Sequence, residues 1–192
     1  MNKTIQLVNF LIEAGELGNV ERKLHAINST RRENVAEHTY HMILTAVLLL
    51  EDKLSAEELL KVIKIILVHD LGEIGADDLA FNKKTSNQVE LEKQAYRDMV
   101  SLLPVDKQKE YFDLWLEFEN LSSKEANYAK AIDKLQSQVV IYSHLINNPN
   151  YKYINQSTVS ETDALIWTYI RRVFHKEFEF IINKVKPSLV QE

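Results

Sequence analysis

Residues 55–73 read SAEELLKVIKIILVHDLGE, and they decide the fold. Ser55-Ala-Glu-Glu58 is a capping-box pattern, in which a hydroxyl and a carboxylate satisfy each other's free amides at a helix start. The helix it opens carries Val62, Ile63, Ile65, Ile66, Leu67 and Val68. That set is apolar around nearly the whole circumference, which predicts a helix at the centre of a domain. It ends on His69-Asp70, and a carboxylate at the end of so buried a helix is costly unless something pairs with it. A divalent cation would offset that cost better than any single side chain, and imidazole beside carboxylate suits a transition metal. A satisfied helix C-terminus is the plainer alternative.

Outward from this stretch the helical period recurs, and only 4 glycines and 3 prolines punctuate 192 residues. The pattern predicts an all-α single domain over 1–192, a helical bundle with no internal repeat or linker. Helices are expected at 4–13, 35–50 with Asn34 as N-cap, 89–103, 105–120, 123–145 and 161–185. Residues 18–33 and 75–88 are expected as loops, the second of them ordered beside whatever the third helix presents.

Composition narrows the chemistry. A net charge of −5 argues against a nucleic-acid polymer as partner, because such binders need a basic surface. It leaves small phosphorylated substrates open, since a metal and a few local cations can hold those. With no cysteine, disulfides, thiolate metal sites and thiol nucleophiles are excluded, so any metal falls to His, Asp and Glu. The N-terminal residues lack a signal peptide's layout and no apolar run approaches a membrane span, so the expected compartment is the cytoplasm.

Two further residues stand out. His38 lies near the start of the second helix, one turn before Met42, and faces inward; His41 is one turn away. A histidine hydrogen-bonded to backbone is the bland alternative. Asp133 interrupts an apolar stripe of Ala126, Ala129, Ile132, Gln136, Val139 and Val140, where an acid wants a cation. Lys130 and Lys134 are adjacent, and pairing with them is expected only at the surface.

Taken together, the series His38…His69-Asp70…Asp133, each member on a different helix, resembles the HD-domain superfamily of metal-dependent phosphohydrolases. Arg32-Glu-Asn-Val-Ala-Glu-His38 is similar to that family's entry to its first ligand. Val68-His-Asp-Leu-Gly-Glu73 followed by Asp77-Asp78 resembles the branch that holds the 5′-deoxynucleotidases. Leu114-Trp-Leu-Glu-Phe-Glu119 resembles that branch's tryptophan helix, and Ala129-Lys-Ala-Ile-Asp133-Lys-Leu-Gln136 its last-ligand segment. The matches run over about 20–140. The resemblance implies His38, His69, Asp70 and Asp133 as ligands of one divalent transition metal, with Co²⁺ or Mn²⁺ first and Fe²⁺, Ni²⁺ or Zn²⁺ as alternatives.

It further implies Glu73 as the residue that positions or deprotonates the attacking water, and Asp78 near the leaving oxygen. Asp77 reads as a cap. Arg22 is similar to an early arginine that contacts the substrate phosphate, with Arg31, Arg32, Lys83 and Lys84 as additional cations. Lys23 departs from the pattern: the best-known bacterial members carry there a tryptophan that shapes the sugar and base pocket. The implied reaction is hydrolysis of a deoxyribonucleoside 5′-monophosphate. The rivals are an HD hydrolase of a triphosphate, cyclic dinucleotide or alarmone, and a metal-stabilised helical protein without turnover. The last helix offers Ile170, Val173, Phe174, Phe178, Ile181 and Ile182 at helical spacing, read as core, and similar family members are commonly homodimers.

Overall fold

A computed structural model describes residues 2–74, 86–151, 153–154, 159–185 and 189–190. The chain runs α1 (Lys3–Gly15), β1 (Glu21–His25), β2 (Arg32–Asn34), α2 (Val35–Leu50), α3 (Ala56–Val68), α4 (Ser86–Ser101), α5 (Val105–Asn120), α6 (Lys124–Asn147), β3 (Tyr153–Ile154), α7 (Val159–Phe174), α8 (Glu179–Val185) and β4 (Leu189–Val190). Short 3₁₀ turns cover Glu16–Asn19 and Leu71–Glu73. The all-α expectation holds, with two small ladders added: β1 pairs antiparallel with β2, and β3 parallel with β4.

Helix starts follow their capping signals. Ser55 and Asn34 each close a capping box, with Glu58 and Glu37 as the reciprocal partners. The predicted centre shifts, however. On α3, Val62, Ile65, Ile66 and Val68 are buried, but Leu60 and Leu67 are about half exposed, so that helix packs by one face. The central helix is α6, which buries Ala126, Ala129, Ala131, Ile132, Leu135, Val140, Ile141 and Leu145. It packs against α2, α3, α5, α7 and α8.

Two other expectations are corrected. Residues 18–33 contain the β1–β2 hairpin, whose polar strands lack the apolar alternation that marks a strand. The expected helix over 161–185 is two helices, because His175 adopts a left-handed backbone (φ 50°) that no right-handed helix continues through. The break lets Phe178 fold back edge-on to Phe174, with ring centroids 5.5 Å apart. Ile170, Phe174 and Ile181 are buried and Val173 and Phe178 half-buried, as the core reading has it. Ile182's side chain lies outside the described residues.

Candidate metal centre

Four polar side chains of α6 (Lys130, Asp133, Gln136 and Gln138) are buried in the middle of the apolar core. The first three follow one another at three-residue spacing and share a helix face. Burying such groups is expensive unless partners are built around them, and partners converge from three other elements.

From α2 comes His38, fully buried. The Asn34–Glu37 capping box fixes the start of α2 immediately after β2, so Glu33, just before the cap, and His38, one turn on, stand near one another. His38 Nδ1 is 2.7 Å from Gln136 Oε1, and its Nε2 is 3.3 Å from Asp133 Oδ1. From the end of α3 comes His69. Its Nδ1–H donates to the Ile66 carbonyl at 2.7 Å, one of the acceptors a helix end leaves unused. Its Nε2 lies 2.9 Å from Asp70 Oδ2, and its ring sits edge-on to Phe118 at 4.9 Å. From β1 comes Arg22, whose side chain is only 17% exposed and reaches Glu33 at 3.3 Å and Asp70 at 3.7 Å.

The donor set fits a divalent metal. One ligand atom each from His38, His69 and Asp133 lies within 4.8 Å of the others, close enough to share one ion. His38 Nε2, His69 Nε2 and Asp70 Oδ2 are buried, and among the described residues none has an aligned hydrogen bond despite its close neighbours. Atoms crowded together without hydrogen-bond alignment are what a shared cation draws on. Each imidazole turns Nδ1–H to a protein acceptor and Nε2 to the cluster, the arrangement in which the outer partner fixes the ligand's tautomer. Asp70 stands beside the triplet rather than within it. Glu73 ends the 3₁₀ turn one step beyond, half-buried, and its charge acts on Arg22.

Electrostatics separates the two histidines. Burial, with Arg22 adding to it, pushes His38 down to about 4, against the pull of Asp133. Burial also opposes charge on His69, but Asp70, Asp133 and the Ile66 carbonyl outweigh it and raise its pKa. Burial likewise opposes ionisation of both aspartates. His69, His38 and Arg22 nevertheless hold Asp70 well below the carboxylate range, and Lys134, His38 and Lys130 do so for Asp133. A metal binding here therefore competes with a proton that its surroundings hold on His69, and at neutral pH with none on His38. Calorimetric titration in buffers of different ionisation enthalpy should find release of up to about one proton per metal. That release should decline, and affinity rise, as pH climbs through the raised pKa of His69. No release anywhere between about pH 6 and 8 would mean that His69 is already neutral.

The remaining expected residues are placed as follows. Arg31 is exposed and forms a two-pronged pair with Glu37, and Arg32 donates to the β1 carbonyls of Arg22 and Lys23 at 3.2 and 3.3 Å. Both brace the hairpin. Asp77, Asp78, Lys83 and Lys84 lie outside the described residues. Trp115 is core, stacked on Tyr96 at 4.8 Å, and its helix gives the site Phe118 instead.

The lysine pairing expected at the surface is buried: Lys134 and Lys130 reach Asp133 at 3.0 and 3.7 Å, each side chain no more than 15% exposed. Lys130 also sits 4.3 Å over the Phe118 ring. Glu33 and Gln136 had no assigned role; their signal is position, one before the α2 cap and one turn after Asp133.

Known proteins point the same way. A family model described as an HD domain matches residues 14–167. The 5′-deoxynucleotidase HDDC2 of Mus musculus is 32% identical over 148 residues, covering 74% of this chain and 73% of that protein. Its Homo sapiens counterpart is 31% identical over 148 residues, covering 74% and 71%. Among solved structures, a predicted metal-dependent phosphohydrolase from Magnetospirillum magnetotacticum superposes with a TM-score of 0.80 at 25% identity, covering 97% of this chain and 92% of that one. An HD-domain phosphohydrolase from Listeria innocua (TM-score 0.65, 17% identity, covering 95% and 93%) shares the fold.

Proposed function

The chain belongs to the HD-domain family, and on that premise we propose that it is a metal-dependent phosphohydrolase releasing phosphate from deoxyribonucleoside 5′-monophosphates. The observation that carries the reading is the buried His38–His69–Asp133 triplet, its Nε2 atoms without aligned hydrogen bonds, with Arg22 beside it. His38, His69 and Asp133 would hold the ion, Mn²⁺ or Co²⁺, with Asp70 beside them as the fourth ligand. Once bound, it supplies a Lewis acid for the phosphoryl oxygen and makes water more acidic.

The protein's own groups do the rest. Arg22, held above its already high pKa by Asp70, Asp133, Glu33 and Glu73 against the cost of burial, is permanently charged and offers a fixed fork to the phosphate. Glu73 orients the attacking water and takes its proton, and Asp78 serves the leaving oxygen. Arg31 and Arg32 act through the hairpin that carries Arg22. Lys23 lies on the exposed side of β1, opposite Arg22. We place the enzyme in the cytoplasm as a homodimer, with the exposed stripe Tyr40, Leu44 and Leu48 of α2 as the apolar face a second copy would cover.

The test is phosphate release from nucleoside and deoxynucleoside mono-, di- and triphosphates, with Mn²⁺, Co²⁺ and Mg²⁺ supplied separately. Deoxyribonucleoside monophosphates should be the best substrates, with Mn²⁺ or Co²⁺ ahead of Mg²⁺. Hydrolysis confined to triphosphates would overturn the substrate assignment, and no release from any of them by metal-loaded protein would overturn the enzyme reading.

A further inference from the structure

One buried chain of contacts reaches a ligand of the metal centre from residues outside the ligand set. It runs from Arg22 on β1 to Glu33 on β2, to Gln136 on α6, to His38 on α2. Arg22 Nε faces Glu33 Oε2 at 3.3 Å, and Gln136 Nε2 donates to Glu33 Oε1 at 2.6 Å. The second amide hydrogen of Gln136 points toward His41 Nδ1 at 3.4 Å. Gln136 Oε1 is then left facing His38 Nδ1 at 2.7 Å. Gln136 and His38 are both essentially inaccessible to water, so no solvent stands in for either partner.

These contacts leave little freedom. Burial pushes the Glu33 pKa up against the pull of Arg22 at 3.3 Å. With that carboxylate ionised, a flipped Gln136 amide would set its carbonyl oxygen against it at 2.6 Å, two acceptors with no proton between them. The amide must therefore present its oxygen to His38, and an oxygen can only accept. A neutral imidazole carries one N–H, and here it has to be Nδ1–H, which strips Nε2 of its proton. Local electrostatics favours the opposite. Asp133 Oδ1 lies 3.3 Å from Nε2, so a proton there would be drawn to the carboxylate, and the two groups would neutralise each other as ligands.

We propose that Gln136, oriented by Glu33, is a positioning residue that locks His38 in its Nδ1–H tautomer and so keeps Nε2 open to the metal. The inference rests on the metal-centre reading above. His69 needs no such device, because its Nδ1–H is held by a backbone carbonyl.

The experiment reads the tautomer directly. In metal-free protein at neutral pH, long-range ¹H–¹⁵N correlation spectra of the imidazole should place the His38 proton on Nδ1. Gln136→Leu removes the acceptor while roughly keeping volume. It should move population to Nε2–H and weaken Mn²⁺ and Co²⁺ binding by about 10–100-fold. Exchanging the pair, Glu33→Gln with Gln136→Glu, puts a carboxylate where it accepts from both His38 and the new amide. That protein should keep the Nδ1–H signature and hold metal within about threefold of wild type, well inside the loss expected on breaking an outer partner.

A wild-type His38 protonated on Nε2 would overturn the proposal, as would unchanged affinity in Gln136→Leu. If Gln136→Leu does not fold, the exchange decides: the Nδ1–H signature with retained affinity supports the lock, and loss of either overturns it. Wild-type protein that takes up no metal would refute the metal reading instead, while the tautomer spectrum still answers for the lock.

Discussion

Asp133→Ala should lose metal binding by at least ~100-fold and lower the stability of the metal-free protein by about 3 kcal/mol at neutral pH. The first effect follows from removing a member of the triplet. The second is less obvious, because two effects compete. Asp133 shares a small buried volume with other acids, so deleting it relieves repulsion. It also balances Lys134 at 3.0 Å and Lys130 at 3.7 Å.

The position of its pKa decides between them. Burial works against the Asp133 carboxylate, yet the two lysines and His38 hold it well below 3.8, so the folded protein prefers the charged form. A group whose folded pKa is depressed stabilises the protein above its unfolded value, so at pH 7 that contribution is fully present. It fades only as pH falls below 3.8. Alanine would take from both buried ammonium groups the carboxylate at 3.0 and 3.7 Å, the costly way to break a buried pair. Urea denaturation in the presence of a chelator measures this, and isothermal titration with Mn²⁺ measures the first effect. An Asp133→Ala protein as stable as wild type would mean that acid–acid repulsion cancels the lysine pairing. One that binds Mn²⁺ normally would put the ion elsewhere.

How much of this could be read beforehand depended on whether the signal was local. Asn34 and Ser55 announce their helices within four residues, and the structure starts both helices there. The β1–β2 hairpin was hidden because ERKLH and REN are polar and short, and what pins them is tertiary: Arg32 on β1 carbonyls and Arg22 on buried Glu33. The break at His175 carries no glycine or proline to mark it. At the site, none of His38, His69 and Asp133 outweighs a structural explanation singly, and they gain meaning only as a set.

Gln136 and Glu33 stayed silent for a further reason. They lie 103 residues apart, and nothing in either segment pairs them until α6 and the hairpin are brought together. The buried lysines were misjudged for the same reason: their spacing to Asp133 was plain, but that α6 is the central helix was not.

Glu73→Gln should separate chemistry from binding. Glu73 sits on the 3₁₀ turn that follows Asp70, its amide bonded to the Asp70 carbonyl at 3.0 Å, which fixes it one step from the ligand set without placing it in the triplet. Glutamine keeps the size and the hydrogen-bonding reach of the side chain but cannot take a proton from water. Removing a positioned general base costs about 10²- to 10⁴-fold in rate. The variant should therefore lose at least ~100-fold in kcat while KM and Mn²⁺ affinity change by less than about threefold, the pattern of a group that acts only in the transition state. The opposite split, weaker metal binding with kcat restored at saturating Mn²⁺, would make Glu73 a ligand. A kcat within about threefold of wild type would assign the proton to another group. Asp78, which follows in the same stretch of sequence and lies outside the described residues, is then the variant to make next.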